Sequence, residues 1–114
     1  MTEKSWTIEE YANEPDSMLY PVYISGPISL LPYEVAKTRF IKTQDKLQEA
    51  GFTLVENPVV FCSREMEYED CMRRCIDRLL DCKAVIMQRL WWISRGARLE
   101  RKLAIAVGMD VIYE

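Results

Sequence analysis

A single glutamate, Glu100, stands where the last helix of the chain is expected to bury its apolar side. That helix would begin after Ser94, a typical capping residue, continue to Val107 and end at Gly108. At about 100° per residue, Glu100 falls within an arc of leucine, alanine and valine side chains. Because burial strips a carboxylate of its hydration, a chain that keeps one on a core face usually uses it, which makes Glu100 a candidate catalytic residue. The structural alternative is a buried ion pair with an arginine: Arg74, Arg78 or Arg95.

The start of the same helix offers groups that bind anions. Ser94, Arg95 and Gly96 would present a hydroxyl, a guanidinium and free backbone N–H groups to a phosphate or carboxylate. Helix capping alone explains Ser94 equally well. Just before it, Trp91 and Trp92 are candidates to stack on a base, cover the pocket or form a subunit contact, with core packing expected for one of them.

The chain contains no histidine, which excludes several common kinds of catalytic and metal-binding site. Nucleophile systems that depend on histidine are excluded, and acid–base work falls to carboxylates, tyrosines, lysines or cysteines. The four cysteines have irregular spacings, although two of them share a helix face: Cys62, Cys71, Cys75 and Cys82. Zinc sites favour paired cysteines with histidine support, so we expect four reduced thiols and no metal.

Composition narrows the class of protein further. A length of 114 residues fits one domain, and a net charge of −3 argues against a nucleic-acid polymer as partner. No apolar run approaches the ~20 residues that span a membrane, and the polar N-terminus does not resemble a secretory signal. We therefore expect a cytoplasmic protein that binds neither membrane nor nucleic acid.

Apolar runs alternate with helical patterns along the chain. We predict strands over 20–25, 52–56, 83–88 and 109–113, helices over 32–50, 67–82 and 94–107, and loops over 59–66 and 89–93. Residues 1–18 form an N-terminal extension with a short helix capped at Thr7, and residues 19–114 form the domain. The alternation predicts an α/β, flavodoxin-like (Rossmann-type) three-layer sandwich with a parallel sheet of order 2-1-3-4.

Ligands of such sheets bind beyond the carboxyl ends of the strands, where the strand order reverses. That rule points to Ser25, Gly26 and Pro27 after the first strand and to the loop before Ser94. Gly26 would let backbone approach a ligand closely, although a plain turn also explains it. The sequence contains neither a dinucleotide fingerprint nor a phosphate-binding loop of the Walker type.

Taken together, these segments resemble the nucleoside 2-deoxyribosyltransferase family, and more closely a small uncharacterised bacterial and phage branch related to it. The marks are YISGP at 23–27, Asn57-Pro58, CKAVIM at 82–87, Trp91, and SRGARLE at 94–100. The resemblance covers residues 20–113 and implies cleavage or transfer at the N-glycosidic bond of a 2′-deoxynucleoside or its 5′-monophosphate. Glu100 matches the nucleophile of that family, which works without metal or organic cofactor.

The resemblance also implies roles for the surrounding residues. Tyr23 would orient Glu100, while the following residues would bind substrate: Ser25, Gly26, Pro27, Asn57, Trp91, Ser94, Arg95 and Gly96. Cys75, Lys83 and Ser94 stand where the family carries acidic residues, and a departing base needs a general acid. The alternative is therefore a catalytically silent nucleotide-binding module or an oligomeric scaffold. Because few residues are available to cover a small open sheet, we expect a homo-oligomer, with Trp91, Trp92 and the segment from Trp6 to Tyr11 as candidates for the shared surface. Relatives often complete their sites with a neighbouring subunit, which supports this expectation by analogy.

Overall fold

Five parallel strands form the central sheet of the computed structural model, which describes residues 5–114. The strands are β1 (Ser5–Trp6), β2 (Val22–Ser25), β3 (Val55–Glu56), β4 (Ala84–Met87) and β5 (Asp110–Tyr113). The helices are α1 (Ile8–Ala12), α2 (Tyr33–Glu49), α3 (Pro58–Phe61), α4 (Tyr68–Leu80) and α5 (Arg95–Ala106), with a 3₁₀ turn at Trp91–Ile93. The order across the sheet is β1-β5-β4-β2-β3. The predicted order of the four main strands is thus confirmed, and β1 is an addition at the edge.

The sheet separates two apolar cores, as the predicted three-layer arrangement requires. Alternate strand residues point to opposite faces, so Val22 and Ile24 join one core while Tyr23 joins the other. The first core packs against α1 and α2 through side chains such as Phe40. The second packs against α4 and α5 through side chains such as Leu79. Because both faces are covered, the central strands β2 and β4 consist entirely of buried residues.

Strand order reverses between β2 and β4. The chain leaves β2 towards β3 on one side and leaves β4 towards β5 on the other. The loops after β2 and β4 therefore diverge and leave space beyond their carboxyl ends. The N-terminus of α5 follows the loop after β4, so this helix begins at the edge where a ligand is expected.

Residues 5–12 of the N-terminal segment pack on the domain. β1 pairs with β5, and the predicted capping box is confirmed because Thr7 and Glu10 exchange side-chain and backbone hydrogen bonds. The Tyr11 hydroxyl donates a 2.7 Å hydrogen bond to Asp110, and its ring contacts Trp6 edge-on at 5.3 Å. The described part of this segment thus contributes to both the sheet and the core.

Two local predictions need correction. Residues 59–66 were expected to be a loop, but the chain first forms α3, one helical turn that Asn57 caps and Pro58 opens. The loop expected over 89–93 contains the 3₁₀ turn. The predicted start of α5 is confirmed by the Ser94 cap, whereas the helix ends at Ala106, one residue before the predicted end, with Val107 as the C-cap and Gly108 following at a φ of 81°. No helix in residues 5–114 combines the length and apolar character needed to cross a membrane.

Candidate functional site

A cavity of about 590 Å³ lies at the edge of the sheet where β2 ends. Its wall comes from the loop after β2, the loop after α3, the first turns of α4 and the start of α5. Four residues expected at the site, together with Glu100, lie on this wall: Gly26, Ser94, Arg95 and Gly96. The volume falls within the range of about 300–1,000 Å³ typical of small-molecule sites. The cavity is therefore the candidate functional site.

Glu100 lies on the wall of this cavity and is 5% exposed. One carboxylate oxygen, Oε2, accepts a 2.5 Å hydrogen bond from the Tyr23 hydroxyl, and Oε1 accepts a 2.7 Å hydrogen bond from Ser25 Oγ. Tyr23 and Ser25 are two residues apart on β2, so the pleat of the strand points both hydroxyls at the same carboxylate. Two neutral hydroxyl groups therefore fix the orientation of the Glu100 carboxylate.

Burial dominates the electrostatics of Glu100. It raises the pKa of the carboxyl from its ordinary value of 4.5 to about 7, against the opposing effect of the hydrogen bonds from Tyr23 and Ser25. Burial and the neighbouring Glu100 carboxyl raise the pKa of Tyr23 well above its ordinary value, so Tyr23 remains a donor. Glu100 is therefore a carboxyl group that gains and loses a proton near neutral pH.

The three arginines considered as ion-pair partners contact groups other than Glu100. Arg74 donates to the backbone carbonyl of Phe61, and Arg78 contacts the Glu56 carboxylate at 3.3 Å. Arg95 stacks over the ring of Tyr68, with 5.0 Å between the guanidinium carbon and the ring centre. Within residues 5–114 no ion pair involves Glu100. The alternative of a structural ion pair is therefore wrong for these three arginines.

The start of α5 is fixed by capping and by close helix packing. Ser94 Oγ accepts a 3.1 Å hydrogen bond from the Ala97 N–H, which confirms its capping role. A Cβ on Gly96 would lie 3.0 Å from Met72 Sδ, so the absent side chain lets α5 approach α4. Gly26 is confined in a similar way, because a Cβ there would lie 2.1 Å from the buried Gln88 Oε1. Both glycines serve close approach at the cavity wall.

Two arginine–tyrosine stacks on the wall were not predicted from the sequence. Arg64 lies over the ring of Tyr33 at 5.6 Å, and Arg95 lies over the ring of Tyr68. All four side chains line the cavity. Such pairs offer flat π surfaces and positive charge together, which suits a planar ring or an anion. Each pair joins distant parts of the chain, so local sequence patterns do not reveal it.

Three cysteines also lie on this wall: Cys62, Cys71 and Cys75. The sulfur of Cys75 is 3.7 Å from that of Cys62 and 3.9 Å from that of Cys71. The neighbouring thiols lower the pKa of Cys71, whereas they raise the pKa of Cys75, as does burial. Cys82 is separate, and its thiol contacts the backbone carbonyl of Arg78. All four cysteines are free, as predicted.

Four residues expected to bind substrate are not part of the cavity wall: Ser25, Pro27, Asn57 and Trp91. Ser25 is buried behind the wall, where its hydroxyl donates to the Glu100 carboxylate. Asn57 is buried, where it accepts a hydrogen bond from the Val59 N–H and donates one to Gln44, so capping and packing occupy its amide. Trp91 packs against Tyr113 and under the Arg101 guanidinium. Pro27 is buried beside Gly26 and is not part of the cavity wall. An asparagine followed by a proline is typical of a helix start, so the capping role of Asn57 could be predicted from the sequence.

Comparison with known proteins gives a family and a fold. A family model described as a domain of unknown function (DUF4406) matches residues 20–113. No protein among those with curated descriptions matches the chain. A solved structure described as a 2-desoxiribosyltransferase from Leishmania mexicana is similar, with a TM-score of 0.61 and 18% identity. The match covers 82% of this chain but 62% of that one, so the present chain spans less than two thirds of its length. At this identity the similarity shows a common fold.

Proposed function

The chain belongs to the family described as a domain of unknown function (DUF4406), and we propose that it cleaves or transfers an N-glycosidic bond. The substrate would be a 2′-deoxynucleoside or its 5′-monophosphate. One observation carries the proposal, namely the buried Glu100 carboxyl on a cavity wall, held by the hydroxyls of Tyr23 and Ser25. The activity named in the description of the similar Leishmania structure belongs to the same class of chemistry.

Glu100 would act as the nucleophile. As the bond from C1′ to the base breaks, its electron pair leaves with the base and positive charge grows on the sugar. The ionised Glu100 carboxylate stabilises this charge and then forms a bond to C1′, giving a glycosyl ester. Attack by water or by a second base at C1′ then releases the carboxylate. Since no cation pairs with Glu100 among the described residues, its negative charge is available to the sugar.

The rest of the wall would bind the other parts of the substrate. Tyr33 and Tyr68 offer faces on which a base can stack, and the guanidiniums of Arg64 and Arg95 offer positive charge to a 5′-phosphate. Gly26 leaves backbone close to the cavity, next to the sugar position that Glu100 defines. In this assignment Gly26 and Arg95 have the substrate-binding roles that the sequence predicts for them.

A specific observation favours a second candidate, a nucleotide-binding module without turnover. A departing base requires a general acid, yet Glu100 is the one carboxyl group on the wall among residues 5–114. The neighbouring Cys75 has a raised pKa, so its thiol holds its proton and is a poor acid. A site with these groups would bind a nucleotide without cleaving it.

The decisive experiment compares wild type with Glu100→Gln on a panel of deoxynucleosides and their monophosphates. Free base is measured by chromatography, and binding of each monophosphate is measured by calorimetry. We expect base release by wild type, a decrease of about 10³-fold or more in Glu100→Gln, and retained binding in both. Glu49→Gln, which changes an exposed carboxyl on α2, is the matched control.

Each outcome separates the candidates. Equal turnover by wild type and Glu100→Gln would remove Glu100 as nucleophile. Binding without turnover in wild type would support the silent module. If neither binding nor turnover occurs with any member of the panel, both candidates are wrong.

We also propose that the chain forms a homo-oligomer in the cytoplasm. Three apolar side chains next to the start of α5 are exposed, the largest being Trp92 at 54%; the others are Leu90 and Ile93. Exposed apolar side chains so close together in the sequence favour contact with a second copy. Trp91 and the segment from Trp6 to Tyr11 are instead engaged within the chain, so Trp92 is the tryptophan that we assign to the contact.

A further inference from the structure

We propose that Cys62, Cys71 and Cys75 together bind one zinc ion on the wall of the cavity. Within residues 5–114 their three sulfur atoms lie within 4.8 Å of one another. The proposal is independent of the N-glycosidic activity, since it concerns the three thiols and their own ligand.

The sulfur positions fit the coordination of zinc. With zinc–sulfur bonds of roughly 2.3 Å in a tetrahedron, two ligand sulfurs lie about 3.8 Å apart. The Cys62–Cys75 and Cys71–Cys75 distances are 3.7 and 3.9 Å. The remaining pair, Cys62 and Cys71, is at most 4.8 Å apart and would have to shorten by up to about 1 Å on binding of the ion. Two of the three sulfur pairs are therefore already at the spacing of ligands in a zinc tetrahedron.

The fold brings the third ligand to the other two. Cys71 and Cys75 are one turn apart on α4, so they share a face of that helix. Cys62 follows α3, and its thiol lies 3.7 Å from the backbone carbonyl oxygen of Cys71. The unexpected helix α3 thus places Cys62 against α4. The spacing of the cysteines along the sequence predicts no metal site, because that spacing does not show that Cys62 contacts α4.

The surroundings suit a thiolate site. Thiolates are soft ligands, and they select zinc over the hard cations magnesium and calcium. All three sulfur-bearing side chains line the cavity, which gives the ion a path of entry and leaves the fourth coordination position open to water. A site with three protein ligands and one open position would result.

The test uses the full chain, reduced and stripped of metal with a chelator. Zinc is titrated against a chromophoric competitor, and cobalt is added in parallel so that its thiolate charge-transfer absorption reports sulfur ligands. We expect one ion per chain in wild type. Cys71→Ser should weaken zinc binding by more than about 100-fold, since loss of groups behind the ligands alone costs about 10–100-fold. Cys71 is half-buried, so serine is tolerated there, and circular dichroism checks the fold.

Cys82→Ser is the matched control, because Cys82 is buried but lies outside the cluster. It should bind zinc as wild type does, and Cys62→Ser should behave like Cys71→Ser. Absence of stoichiometric zinc, or equal affinity in wild type and Cys71→Ser, would overturn the proposal, as would equal losses in Cys71→Ser and Cys82→Ser. Glu100→Gln should retain the ion, so failure of the nucleoside assay and failure of this site remain distinguishable.

Discussion

Replacing Glu100 with glutamine should stabilise the protein at neutral and alkaline pH. The carboxyl has a pKa of about 7 in the folded chain against 4.5 ordinarily, because burial penalises its charged form. The folded state thus holds this proton more tightly than the unfolded state. The contribution of Glu100 to the free energy of unfolding is therefore full below about pH 4.5 and is lost as pH rises through about 7.

The size of the effect follows from the two pKa values. At about 1.36 kcal/mol per pH unit, the loss reaches about 3 kcal/mol at pH 8. Glutamine has nearly the same shape and carries no charge, and its amide can exchange hydrogen bonds with the hydroxyls of Tyr23 and Ser25. Glu100→Gln should therefore match wild type near pH 4.5 and exceed it by about 3 kcal/mol at pH 8, or roughly 12 °C in Tm for a domain of this size.

Urea unfolding of both proteins at several values between pH 4.5 and 8 provides the measurement. The difference in free energy of unfolding should grow with pH, and Glu49→Gln, an exposed substitution, should show no such trend. A difference that is constant with pH would refute the reasoning, as would a less stable Glu100→Gln at pH 8. Either result would mean that the buried carboxyl is not penalised for its charge.

Base release should fall below about pH 7, because Glu100 must be ionised to attack, and a rate profile against pH measures this. Tyr23→Phe should shift this limb to higher pH and lower the free energy of unfolding by about 1–3 kcal/mol, since it removes a buried donor. Gly26→Ala should destabilise by about 1–3 kcal/mol in urea, because the new Cβ would overlap Gln88. Light scattering at micromolar concentration should show at least a dimer, which Trp92→Glu should dissociate.

These predictions have matched controls. Tyr20→Phe alters an exposed tyrosine and should change neither stability nor the pH profile. Gly108→Ala changes a glycine with open space around it, so any cost there comes from its φ of 81° and not from overlap. An unchanged pH limb in Tyr23→Phe would contradict the role of its hydroxyl, and a monomeric mass for wild type would contradict self-association. A Gly26→Ala protein as stable as wild type would show that Gln88 moves aside at no cost.

The features predicted well from the sequence depend on local periodicity. The sequence predicts the inward position of Glu100 because α5, a helix of twelve residues, repeats its apolar pattern over three turns. The order of four strands followed because alternating strands and helices allow few topologies. The sequence does not predict β1, because its two residues, Ser5 and Trp6, are too few to show a repeating apolar pattern.

The remainder of the candidate site depends on contacts between distant segments. Cys62 joins Cys75 only because α3 packs against α4, and Arg64 meets Tyr33 across a gap of thirty-one positions in the sequence. The family resemblance predicts that Asn57 binds substrate, yet its amide hydrogen bonds to Gln44 on α2. Position along the chain indicates which edge of the sheet a residue lies on, whereas tertiary packing decides which group it contacts.

The short strand β1 also bears on how the protein avoids aggregation. It pairs with Val111 and Ile112 of β5, whose other side is occupied by β4, and so replaces β5 as the edge strand of the sheet. A chain that began at residue 20, where the family match begins, would present the N–H and C=O groups of β5 unpaired. Such an edge is a template for strand pairing between molecules, with fibrous or amorphous association as the result. The two residues of β1, outside the family match, thus replace a four-residue edge with a two-residue edge that offers fewer groups for such pairing.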